Sequence, residues 1–147
     1  MTNKYYQSIF ENEQDLLKAL IDIHLNEKIE LDPMYFKGNF YKEIPYPDYK
    51  FDISPIVLGV KKADARNLPI ENESINNMIL DPPFLFEIRN RKNKHYGANT
   101  HGILKGFKGL KELYQGILKE AYRVLKKEGI LIFKWITLIS FPPISLK

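Results

Sequence analysis

From Asn12 onward the chain takes on a helical rhythm. Asn12 is followed by Glu13, Gln14 and Asp15, which put acids in the first turn, and Leu16, Leu17, Leu20, Ile21 and His24 or Leu25 then recur at three- and four-residue spacing. An amphipathic helix is predicted there. The period then shortens. Residues 28–31 predict a short strand ending at Asp32-Pro33, before an aromatic, glycine-containing stretch over 34–41. The order of strand, acid and loop recurs: 50–53 contains Asp52 close to Pro55, 60–64 ends at Asp64, and 78–81 ends at Asp81. Residues 87–109 carry Arg89, Arg91, Lys92, Lys94, Lys105 and Lys108 with little apolar periodicity, and predict a long mobile loop or a solvated insertion. Helical spacing returns over 110–125, with Leu110, Leu113, Tyr114, Ile117, Leu118, Ala121, Tyr122, Val124 and Leu125 on the apolar face. Gly129 is the expected stop, and Ile130-Leu131-Ile132-Phe133 is a continuous apolar run, the mark of a strand buried on both faces.

Strands alternating with helices predict an α/β fold, and 147 residues make one domain with a sizeable core. In open parallel α/β sheets ligands bind outside the carboxyl ends of the strands, so four strand-end acids would face one site. Each acid also has a plain structural reading, because Asp caps helices and starts turns.

A hydrophobic content of 44% with mixed charge is globular rather than disordered. The absence of cysteine excludes disulfides, cysteine nucleophiles and thiolate metal sites. His24, His95 and His101 show no metal-ligand spacing, so no metal is expected. Residues 1–14 lack the apolar core of a signal peptide, and the longest apolar run, 135–146, contains Pro142 and Pro143 and is too short for a bilayer. A cytoplasmic protein without a membrane span is expected. The net charge of +4 fits polyanionic partners and an ordinary soluble surface equally well.

Chemistry concentrates at Ile79-Leu80-Asp81-Pro82-Pro83-Phe84. Each proline pushes the residue before it away from helical angles, so the strand leaves its sheet through a stiff corner. Neither proline has an N–H, so the segment presents carbonyls and the Asp81 carboxylate as acceptors, with few backbone donors to compete. Such a corner suits an amino group carrying two hydrogens, and Phe84 adds a flat face for stacking a planar base. The plain alternative is a strand end with a proline turn and a core Phe.

Asp81-Pro82-Pro83-Phe84 resembles the (Asp/Asn/Ser)-Pro-Pro-(Tyr/Phe) motif of S-adenosylmethionine-dependent methyltransferases that modify exocyclic amino groups, above all adenine-specific DNA methyltransferases. Residues 63–69 and 74–81 are similar to the third and fourth sheet segments of that family, and 122–131 to its helix-to-strand step. The stretch 31–41 resembles the opening segment of small phage-type and bacterial DNA methylases. The resemblance implies a Rossmann-like class I methyltransferase sheet with helices on both faces, spanned by residues 1–134 and incomplete at the C-terminus. It implies S-adenosylmethionine as cofactor and duplex DNA with a flipped base as partner, methylated at adenine N6.

Position by position, it casts Asp81, Pro82, Pro83 and Phe84 as catalytic. Asp32, Pro33 and Gly38 fall in the first cofactor segment, Asp52 on the ribose hydroxyls, and Asp64 and Ala65 on the cofactor's adenine ring. Arg89, Arg91, Lys92 and Lys94 are candidates for nucleic-acid phosphates. A lone Gly38 replaces the family's Phe-x-Gly-x-Gly turn, and the apolar tail 135–147 is unlike its continuation. Two alternatives stand beside this expectation: an inactive fragment, or a subunit completed by a partner that covers the tail; and a related enzyme acting on RNA or a protein amide.

Overall fold

The computed structural model describes residues 9–25, 27–83 and 106–134. Helix α1 spans Glu13–His24. It starts where its capping chemistry lies, with the Asn12 side chain accepting from the Asp15 backbone N–H at 2.9 Å. Five strands follow: β1 at Leu31–Asp32, β2 at Tyr49–Asp52, β3 at Lys61–Lys62, β4 at Ile75–Leu80 and β5 at Leu125–Phe133. Helix α2, Gly106–Val124, comes between β4 and β5, and a 3-10 turn at Asn39–Lys42 between β1 and β2. The sheet order is β3-β2-β1-β4-β5, with every neighbouring pair parallel. The chain thus builds outward from β1 in one direction and then crosses back to build in the other. That order is compatible with a Rossmann-like fold, and its reversal lies between β1 and β4.

Each face of the sheet packs on one helix. Met78, Leu80, Leu131 and Phe133 join the cluster of Leu113, Ile117 and Ala121 from α2, whereas Ile79, Ile130 and Ile132 join Leu17, Ile21 and Leu25 on the α1 side. Alternating side chains from one strand serve opposite faces, which is why these segments read as unbroken apolar runs. Helices on both faces are as expected.

Several boundaries differ from the sequence-based expectation. The strand expected over 28–31 runs only over Leu31–Asp32: the Glu30 carbonyl still accepts from Tyr49 N–H at 3.0 Å, but toward β4 side chains take over its pairing. Glu30 N–H donates to Asn77 Oδ1 at 2.8 Å, and the Glu30 carboxylate accepts from Asn76 N–H at 2.7 Å. The strand expected over 60–64 contracts to Lys61–Lys62 at the sheet edge, and Asp64 enters a tight turn whose carbonyl accepts from Asn67 N–H at 2.8 Å. The strand expected over 78–81 begins earlier, at Ile75.

Helix α2 starts at Gly106, ahead of the first periodic apolar position at Leu110, and ends at Val124 rather than at Gly129. Its last carbonyls are met by the chain entering β4: Glu73 and Ser74 N–H donate to Arg123 and Val124 C=O, both at 2.9 Å. Gly129 lies within β5, where Leu125 pairs with Ile75 and Ile130 with Asn77, so that 126–129 bulge outward. A Cβ on Gly129 would sit 2.9 Å from the Lys126 carbonyl oxygen. The apolar face of α2 is narrower than its sequence, since Tyr122 is 86% exposed. Of the expected loop over 87–109, the part up to 105 and the tail 135–147 lie outside the described residues. No helix among the described residues is long and apolar enough to cross a membrane.

Candidate functional site

The strand order reverses between β1 and β4, where open α/β sheets bind their ligands, and Asp32, Asp52 and Asp81 stand at the carboxyl ends of β1, β2 and β4. Asp32 closes β1. It is 2% exposed, its Oδ1 accepts from Met34 N–H at 2.9 Å, and its Oδ2 accepts from the Tyr41 hydroxyl at 2.8 Å. Burial pushes its carboxyl up to about 7, against the two hydrogen bonds, with the charges of Asp81 and Asp52 adding to the rise. Burial and the same carboxylate hold the Tyr41 phenol well above its ordinary range, so Tyr41 stays a donor.

Asp52 closes β2 and is also buried. One oxygen accepts from Phe36 N–H at 2.9 Å and the other from Ser54 N–H at 2.8 Å. Asp32 and Asp52 therefore act on the loop between them. Together they bind the backbone at 34, 36 and 54 and fix the path of the loop. Phe36 takes a left-handed φ of 47° there, and Gly38 one of 68° as it enters the 3-10 turn. The space beside Gly38 belongs to the protein itself, because a Cβ there would clash with the Tyr35 hydroxyl. Pro33 is fully buried behind this loop.

Asp81 differs from both. It follows β4, its side chain is 36% exposed, and it leads into the buried Pro82 and half-buried Pro83. Burial raises its carboxyl, the Lys134 charge lowers it, and Glu13 raises it again, leaving a net upward shift. Lys134 follows β5, and its N–H donates to the Leu80 carbonyl at 2.9 Å, which fixes it beside Asp81. Its Nζ lies 3.7 Å from Asp81 Oδ2, 2.5 Å from Glu13 Oε1 and 5.1 Å from the Phe40 ring centroid. From α2, Tyr114 packs edge-on against Phe133 and brings its hydroxyl to 3.5 Å from the Pro83 carbonyl oxygen. Burial, then the Asp81 charge, raises the Tyr114 phenol.

The third strand-end acid stands apart. Asp64 is bound by both edges of its neighbour, with Arg66 Nε at 2.9 Å from Oδ1 and Nη2 at 2.5 Å from Oδ2, and this guanidinium holds its carboxyl below the usual range. Ala65 is buried in the α2-side core. Phe84, Arg89, Arg91, Lys92 and Lys94 lie outside the described residues. Among the described residues no group of acids and histidines is arranged to hold a metal ion.

Sequence reasoning missed Glu13, Lys134, Tyr114 and Tyr41. The signal for Lys134 was present, because it directly follows the apolar run 130–133 and obeys the same strand-end rule as the acids. Tyr114 read as one more apolar helix position, and nothing local distinguishes it. Comparison of the chain with known protein families, curated proteins and solved structures finds no match.

Proposed function

We propose that this chain transfers a methyl group from S-adenosylmethionine to an exocyclic amino group of a base in DNA, adenine N6 in the first instance. One observation carries the reading: a partly exposed Asp81, followed by two prolines, stands at the carboxyl end of β4 where the strand order reverses, with Asp32 and Asp52 at the neighbouring strand ends.

The donor set fits the cofactor's polar groups. The Asp52 oxygens each hold one backbone N–H and keep a further lone pair suited to ribose hydroxyls, whereas the buried Asp32 carboxyl, whose two oxygens accept from Met34 N–H and the Tyr41 hydroxyl, shapes the loop beside them. Asp64 is committed to Arg66, so the 64–65 segment would meet an adenine ring through its backbone. When bound, S-adenosylmethionine supplies an electrophilic methyl on a cationic sulfur.

An exocyclic amino lone pair is delocalised into its base and is a poor nucleophile. The Asp81 carboxylate and the Pro82 carbonyl accept the two amino hydrogens and draw that lone pair back onto nitrogen. The missing proline N–H groups keep the acceptors free of local competition. Asp81, whose affinity for protons burial raises, is placed to receive the proton that the nitrogen sheds. Positioning and electrostatics, with no covalent enzyme intermediate, account for catalysis.

The test is transfer of labelled methyl to duplex DNA by the purified chain, with the label on adenine, and an Asp81→Ala variant that loses transfer while still binding cofactor. Cofactor binding without transfer to any nucleic acid would favour an inactive fragment or a partner-dependent subunit. Label appearing on RNA or on a protein amide would reassign the substrate. A folded chain that binds no cofactor would overturn the proposal.

A further inference from the structure

Lys134 sits between two carboxylates and treats them unequally. Its ammonium makes a charge-assisted contact of 2.5 Å with Glu13 but stays 3.7 Å from Asp81, inside ion-pair range and outside hydrogen-bond range. The Phe40 ring, 5.1 Å away, favours the cation in the same place. Glu13 and Lys134 are 121 positions apart, and the pair exists because the first turn of α1 lies against the end of β5. Burial lowers the Lys134 ammonium, and the contacts with Glu13 and Asp81 outweigh it, so Lys134 stays charged.

An ammonium has three donors and would readily bond Asp81 directly. Such a bond would cover an oxygen that the reaction requires as an acceptor. Removing the cation altogether would leave a half-buried carboxylate with no positive neighbour among the described residues.

We propose that Glu13 and Lys134 are a positioning pair for the acceptor corner: Glu13 draws the Lys134 ammonium aside, so that it balances the Asp81 charge from a distance without covering the oxygen that accepts the substrate's amino hydrogen. The role assigned to Asp81 rests on the methyl-transfer reading above, but the geometry of the pair does not. The groups facing Asp81 are Glu13 from α1, Asp32 from β1, Tyr114 from α2 and Lys134 after β5. Of these, only Lys134 is a cation.

Two readouts test the pair. The first is the titration of the Asp81 carboxyl, followed by carbon-detected NMR in the folded chain without cofactor or DNA. Glu13→Gln removes a negative neighbour and releases Lys134 onto Asp81, so the titration midpoint falls. Lys134→Met removes the cation, so the midpoint rises, and Lys134→Arg leaves it near the native position. The second is methyl transfer against pH. Glu13→Gln loses about tenfold across the whole range, the loss expected when one charge-assisted hydrogen bond to the reacting group is masked. Lys134→Met loses activity only on the acidic side, and Glu13→Gln with Lys134→Met recovers activity over Glu13→Gln alone.

An Asp81 midpoint that ignores Glu13→Gln, or a double variant no better than Glu13→Gln, overturns the pair. Unchanged thermal midpoints in the variants separate these effects from loss of fold. If the Asp81 midpoint moves as described while the native chain transfers no methyl, the pair stands and the methyl-transfer reading falls. Transfer with an immobile midpoint gives the reverse.

Discussion

Asp32 is a carboxylic acid held almost out of water by a tyrosine hydroxyl and a backbone N–H, and its proton affinity follows from that burial. Its folded value of about 7 lies above the ordinary 3.8, so between these two values the folded chain holds a proton that the unfolded chain has released. Stability from this group is complete below about pH 4 and is lost as pH rises to about 7. At ~1.36 kcal/mol per unit the full loss is on the order of 4 kcal/mol. Asp32→Asn preserves the acceptor for Met34 N–H and offers the Tyr41 hydroxyl a donor instead. The variant is expected to match the native chain near pH 4, to exceed it at pH 8, and to flatten the dependence between, as read from urea midpoints. The acid itself was legible in the sequence as a strand end. Its burial was not, because Tyr41 lies nine positions away across a loop whose path depends on Asp52 as well.

At the scale of elements, the Arg123 side chain ties α2 to the chain before β4 at three points. Arg123 donates to the Ile70 carbonyl at 2.8 Å, the Leu68 carbonyl at 3.1 Å and Asn72 Oδ1 at 2.6 Å, and pairs with Glu120, which in turn accepts from Leu68 N–H at 2.6 Å. Arg123→Ala leaves those carbonyls and the buried Glu120 without their partner. A loss of roughly 2–3 kcal/mol is expected in denaturant titrations, less than for a fully buried pair because Arg123 is 33% exposed. This arginine belongs to the stretch that resembles a methyltransferase helix-to-strand step, and the structure gives it a folding role. The existence and kind of both helices and of the main strands were legible from periodicity. Their ends were not, since α2 stops where Glu73 and Ser74 meet its carbonyls, and β1 starts where Asn77 releases the backbone.

For the whole molecule, the sheet is held from two sides by cores that share its strands. Leu17 lies in the α1-side cluster and Ile117 in the α2-side cluster. Truncating either to Ala is expected to cost about 2–5 kcal/mol, and the double variant to lose the sum within ~0.5 kcal/mol, because the two residues share no cluster. Coupling well beyond that in equilibrium unfolding would contradict the two-sided packing. The alternation of side chains along each element is a local property, so the sequence alone determined the α/β class, the two amphipathic helices and the apolar strands that serve both faces, although the run 130–133, expected to be buried on both faces, is only partly buried. The sequence also determined the stiff Asp81-Pro82-Pro83 corner, through the covalent geometry of proline. Only the tertiary structure decided which strand-end groups turn inward, as Asp32 and Asp52 do, which is paired off, as Asp64 is, and which stands open beside a lysine, as Asp81 does. Those outcomes depend on contacts between residues far apart in sequence, Glu13 with Lys134 above all, and no local pattern records them.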